Sequence, residues 1–147
     1  SRTSAELIFD QGLGDIFSIR IAGNILNEDI LGSMEFACKI AGSKLIVVLG
    51  HTKCGAIEYA CNDIVLGNIT NLLNKIKPAI QLETETKAER NGNNRVFMNN
   101  VTTNNVHLTV KKIKEQSTLL AELEASGEIK IIGGLYDLDT GLVTFFE

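Results

Sequence analysis

His51 and Cys54 stand three positions apart where an unbroken apolar run ends, in Leu45-Ile-Val-Val-Leu-Gly-His51-Thr-Lys-Cys54-Gly-Ala. Imidazole nitrogen and thiolate sulfur are donors that zinc takes readily, and a zinc site normally needs at least one more protein ligand. In open α/β sheets, ligands gather outside the carboxyl ends of parallel strands, where loops converge on one point. A buried strand that delivers His51 and Cys54 to that end reads as half of a Zn²⁺ site. The sequence offers no obvious third ligand. The plainer alternative is a buried imidazole bonded to backbone beside an inert thiol.

The elements that must position this pair follow from apolar periodicity. Positions 4–11 read as a short helix and 15–21 as a short strand running into the Ala22-Gly-Asn24 turn. Positions 29–41 form a helix stopped by Gly42. Positions 44–49 form a strand without alternation, which predicts cover on both faces. A helix starts at 56–61, and another spans 68–80, halted around Pro78, the only proline. The polar stretch 82–100 reads as a solvated helix and a loop. Positions 101–127 carry apolar residues at helical spacing, broken near Ser117, which caps the second of two helices. A strand at 128–138, a turn at Asp139-Thr-Gly141 and a strand at 142–146 form a hairpin. Strands separated by helices imply crossovers. The expected fold class is therefore α/β, a mainly parallel central sheet flanked by helices with a C-terminal antiparallel edge hairpin.

Composition narrows the class further. The 147 residues are 44% hydrophobic, enough for one domain with a real core, and no run reaches the roughly 18–20 apolar residues of a membrane span. A net charge of -4 gives no electrostatic reason to bind nucleic acid. The odd count of three cysteines and the lack of a signal-like start suit a reducing, cytoplasmic setting. Cys38 falls on the apolar side of its helix and reads as packing. Cys61 reads the same way, with a reactive thiol or distant ligand as its alternative. Asp10 and Asp15 read as caps or surface charges, and Lys53 points to solvent. Gly12-Leu-Gly14 lacks the third glycine of a dinucleotide fingerprint, where Phe17 stands instead. The sequons at Asn68 and Asn100 read as chance.

Several motifs in one order resemble the β-class carbonic anhydrases. They are Ser1-Arg2 as the tail of that family's Cys-x-Asp-Ser-Arg motif, 19–24 as its Arg-Asn-Ala-Gly-Asn turn, 32–37 as its Gly-Ser-Leu-Glu-Tyr-Ala helix, 45–56 as its zinc strand, and Tyr136-Asp137 with Thr140-Gly141 as its terminal hairpin. Ile21, where the family often has Asn, is a minor departure. The resemblance implies reversible hydration of carbon dioxide to bicarbonate, with His51 and Cys54 as two zinc ligands and the metal lowering the pKa of bound water. It implies that Arg2 pairs with the motif's aspartate and keeps that carboxylate off the metal. It also implies a homodimer or higher homo-oligomer.

The chain begins just after the positions of the family's first cysteine and its aspartate, and the strand leading into them is missing. A single β-carbonic anhydrase-like domain, N-terminally incomplete, is the expectation. Two neighbouring strands are then expected to expose edges. Three readings stay open: a retained part of a longer enzyme; a truncated relative whose sheet closes by dimerisation; or coordination completed by Cys61, His107 or a partner's side chain. On function, the alternatives are a scaffold or interaction domain that lost the chemistry, or a carbon disulfide or carbonyl sulfide hydrolase on the same site.

Overall fold

The computed structural model describes residues 4–146. Seven helices and three strands run in the order α1 (Ala5–Ile8), α2 (Glu28–Lys39), β1 (Leu45–His51), α3 (Gly55–Cys61), α4 (Gly67–Asn74), α5 (Lys77–Leu82), α6 (Arg95–Gln116), α7 (Thr118–Ala125), β2 (Lys130–Tyr136) and β3 (Val143–Phe146) among these residues. The sheet order is β1-β2-β3. β1 and β2 pair in parallel from Leu45 opposite Lys130 to His51 opposite Tyr136, and β3 returns antiparallel on β2. The parallel pair and the edge hairpin are the expected class.

The long helix α6 organises the interior. Asn94 caps it, its side chain accepting from the amides of Val96 (3.1 Å) and Phe97 (3.2 Å), which would otherwise be orphaned. Phe97, Val101, Val106 and Ile113 are fully buried, each contributing roughly 1.5–3 kcal/mol on removal from water. The same buried stripe holds polar residues, and each has a partner. Asn105 donates to the Gly23 carbonyl (2.7 Å) and Thr109 to the Asn24 carbonyl (2.9 Å), which ties the 22–24 turn to α6.

β1 and β2 lie close against α6 because glycines face it. A Cβ at Gly50 would stand 2.8 Å from Val106 Cγ2, and one at Gly133 2.6 Å from Val106 Cγ1. On that side of β1, Ile46, Val48 and Gly50 are buried, whereas Val47, Leu49 and His51 on the other are only half-buried. The expected cover on both faces is thus full on one and partial on the other.

Three further expectations change. Residues 15–21 are not a strand, because no strand pairs with them among the described residues and a ladder needs two backbones. They form one wall of an apolar groove of about 610 Å³ whose other wall is β1, an edge strand here. Residues 68–80 are two helices, and Pro78 sits in the first turn of α5, where its missing N–H costs nothing, so it starts a helix and does not halt one. The stretch 82–100 is no solvated helix. It is a loop anchored by a buried Glu83, followed by the first turn of α6.

The break at Ser117 is as expected. Its hydroxyl accepts from the Leu120 amide (3.1 Å) and opens α7.

Candidate metal centre

His51 is the last residue of β1 and Cys54 the residue before α3, so one tight turn presents both donors. Lys53 makes the turn possible with φ of 55°, in the left-handed region. His51 is half-buried and Cys54 is buried, and both line the groove. The two side chains interact across the turn. That contact holds the His51 imidazole above its ordinary pKa against the opposing effect of desolvation. Burial pushes the Cys54 thiol up, but the His51 contact and the backbone amides of Ile57 and Ala56 more than offset it, leaving the thiol below its ordinary value. A thiol biased toward thiolate beside an imidazole suits a borderline-soft cation.

The imidazole is oriented from behind. Nδ1 lies 2.8 Å from the Thr52 carbonyl oxygen, which accepts only, so Nδ1 carries the proton and Nε2 is left for a metal. Thr52 is itself fastened to the hairpin: its amide donates to the Tyr136 carbonyl (3.0 Å), and its hydroxyl accepts from the Leu138 amide (3.0 Å). Thr52 and Asp137 stand inside the motifs quoted above, yet the sequence alone does not single them out. The signal was a hydroxyl between two donor residues.

The remaining sequence candidates fall as follows. Arg2 lies outside the described residues. No group of three His, Cys, Asp or Glu side chains able to hold a metal forms among the described residues, so neither Cys61 nor His107 joins His51 and Cys54 there. His107 is exposed on α6 and stacks on Phe146 with ring centroids 4.9 Å apart. Cys61 is buried in the core, and burial pushes its thiol up to about 11, the behaviour of an inert group. Cys38 is buried in the other cluster, as expected for packing. Asp15 accepts from the Gly12 amide (2.9 Å), a local cap. Lys53 does not simply point to solvent but pairs with Asp139 of the hairpin turn.

Comparison with known proteins completes the picture. The family model for carbonic anhydrase matches residues 1–143. Carbonic anhydrase 2 of Mycobacterium tuberculosis is 38% identical over 146 residues, covering 96% of this chain and 67% of its own length. The fold matches the β-carbonic anhydrase CcaA (TM-score 0.85, 20% identity, all of this chain and 75% of that one). It also matches a tetrameric β-carbonic anhydrase of Sordaria macrospora (TM-score 0.82, 19% identity, 97% and 74%). A carbon disulfide hydrolase of Acidithiobacillus thiooxidans matches over only 53 residues, 36% of this chain and 24% of its own length, at 36% identity. With a family model spanning nearly the whole chain and a relative more than a third identical, the chain belongs to the β-class carbonic anhydrase family.

Proposed function

We propose that the chain carries a zinc centre for the reversible hydration of carbon dioxide to bicarbonate, with His51 and Cys54 as two of its ligands. The observation that supports this is the pairing of a thiol biased toward thiolate with an imidazole whose Nδ1 is taken up by the Thr52 carbonyl, both lining an apolar groove. When bound, zinc would lower the pKa of a water ligand toward neutrality, so that hydroxide is available to carbon dioxide at physiological pH. His51 and Cys54 supply the donors, and the Thr52 carbonyl keeps the His51 proton on Nδ1. The groove walls are mainly apolar, with Ile16, Phe17 and Ile19 among them, a surface suited to an uncharged, non-polar substrate. Arg2 is proposed to hold a carboxylate away from the metal, a role that rests on the family resemblance alone.

The tetrameric Sordaria protein supports a homodimer or larger assembly, and so do the exposed Val65, Leu66, Phe36 and Ile40 on this chain. No described helix is long and apolar enough to cross a membrane, and the cysteines are free. A cytoplasmic location is our reading of those thiols. The carbon disulfide reading is not favoured, because its match is confined to about a third of the chain.

The test is zinc content by mass spectrometry together with stopped-flow hydration of carbon dioxide. We expect about one zinc per chain, lost with the activity in His51→Ala and Cys54→Ser. A folded chain that takes up no zinc and hydrates nothing would instead establish a scaffold that has lost the chemistry.

A further inference from the structure

We propose that Thr52, braced by Asp137 and Leu138 at the start of the hairpin turn, is the positioning residue that sets the His51 ring for metal binding. The proposal rests on the reading of His51 and Cys54 as zinc ligands. It comes from the way four hydrogen bonds of one buried residue are used. The Thr52 amide donates to the Tyr136 carbonyl at 3.0 Å, extending the β1–β2 ladder by one rung. The Oγ1 accepts from the Leu138 amide at 3.0 Å and donates to Asp137 Oδ1 at a longer 3.4 Å. The carbonyl oxygen takes the Nδ1 proton of His51 at 2.8 Å. The first three bonds clamp the peptide to the hairpin; the fourth passes that orientation to the ring.

The brace is itself held. Asp137 Oδ1 also accepts from the Asp139 amide (2.8 Å), and the Asp137 carbonyl accepts from the Gly141 amide (2.8 Å), so the turn fixes the acceptor that Thr52 reaches. On the other side of Thr52 the chain reverses through Lys53 and arrives at Cys54. A rotated 52–53 peptide would therefore tilt the imidazole and displace the thiol together. Without the hydroxyl, the peptide keeps one ladder bond to β2 and loses its side-chain attachment to the turn. Partners that orient a metal-bound histidine are typically worth 10–100-fold in metal affinity.

The experiment compares Thr52→Val, nearly isosteric but without the hydroxyl, with Thr52→Ser, which retains it. Zinc affinity is measured by chelator competition on the full chain, and the melting temperature of each metal-free protein is recorded. We expect Thr52→Val to weaken zinc binding about 10–100-fold while Thr52→Ser stays close to the parent. The second readout is ¹⁵N NMR of the His51 ring in metal-free protein at alkaline pH, where the ring is neutral. The parent should show the Nδ1-protonated tautomer, and Thr52→Val a mixture. Should Thr52→Val fail to fold, Asp137→Ala removes the side-chain half of the brace and leaves the Leu138 amide bond, so the same shifts are expected in the same direction but smaller. Unchanged affinity and an unchanged ring spectrum in the folded variant would overturn the positioning role. A parent chain that takes up no zinc would overturn the metal reading alone, and the ring spectra would then decide the role of Thr52.

Discussion

Asn24 donates its side-chain amide to the Leu49 carbonyl at 2.5 Å, bridging the 22–24 turn to the edge of β1 that faces the groove. Asn24 sits at φ of 47°, and Gly23 before it at 71°, so the turn depends on two residues that tolerate left-handed backbone. Asn24→Ala should lower stability by about 1–3 kcal/mol in urea unfolding, because it leaves a partly buried carbonyl unsatisfied and strains the turn. Asn24→Gly removes the same bond but relaxes the backbone. It should be less harmful, and a reversed order would show that the bond to Leu49 contributes little.

Gly23 makes a sharper prediction. A Cβ there would stand 2.6 Å from Ile76 Cδ1, a side chain with no exposure, and the backbone already has positive φ. Gly133→Ala meets a similar wall, at 2.6 Å from Val106 and 3.1 Å from Phe146. Each substitution should cost roughly 1–3 kcal/mol through overpacking. Val106→Ala combined with Gly133→Ala should cost less than the sum of the two changes taken separately, a non-additivity visible in a double-mutant cycle. Strict additivity would mean that Val106 and the new methyl do not meet.

These contacts show where the sequence was legible. The β1 strand, the Ser117 break and the hairpin are local patterns: an apolar run, a capping hydroxyl, a turn glycine. Local chemistry forms them wherever they occur. Residues 15–21 look like a strand by composition, yet strand structure is a property of a pair, and the run alone does not reveal whether a neighbour is there. Pro78 was misread because one residue type serves both to stop a helix and to open the next. Glu83 was hidden because a carboxylate in a polar stretch reads as solvated until its four donors are seen in space. The pairing of His51 with Cys54 was legible from spacing; the Thr52 brace was not, since Asp137 stands 85 positions away.

The Lys53–Asp139 ion pair lies beside the Thr52 brace but is largely open to water, with the two side chains 43% and 61% exposed. The Lys53 ammonium bonded to Asp139 holds its carboxyl below the usual carboxylate range. Exposed pairs contribute little, since water and salt screen them. Lys53→Ala and Asp139→Asn should therefore leave the urea midpoint nearly unchanged and zinc affinity intact, in contrast with Thr52→Val. A large loss of zinc from Asp139→Asn would mean that the turn is held by charge and not by the hydroxyl.

Glu83 carries the clearest pH signature. Its side chain is 1% exposed, and burial would raise its pKa. That effect is outweighed by bonds from the Thr86 amide and hydroxyl (2.9 Å each), Asn100 (3.1 Å) and Arg90 (2.5 Å), which together hold it down at about 2. Arg90 also lies over the Phe97 ring at 4.8 Å, so the loop 83–94 is pinned onto the first turns of α6. Because the folded pKa is below the ordinary 4.5, the unfolded chain binds this proton first as pH falls. The stabilisation is therefore complete above about pH 5 and is lost progressively as pH drops toward 2. Glu83→Gln should lower the urea midpoint at neutral pH, and the gap between variant and parent should close as pH is lowered through that window. Other carboxylates titrate there too, so the difference between the two proteins is the quantity to follow. A gap that stays constant from pH 7 to 3 would show that the Glu83 charge is not what anchors the loop.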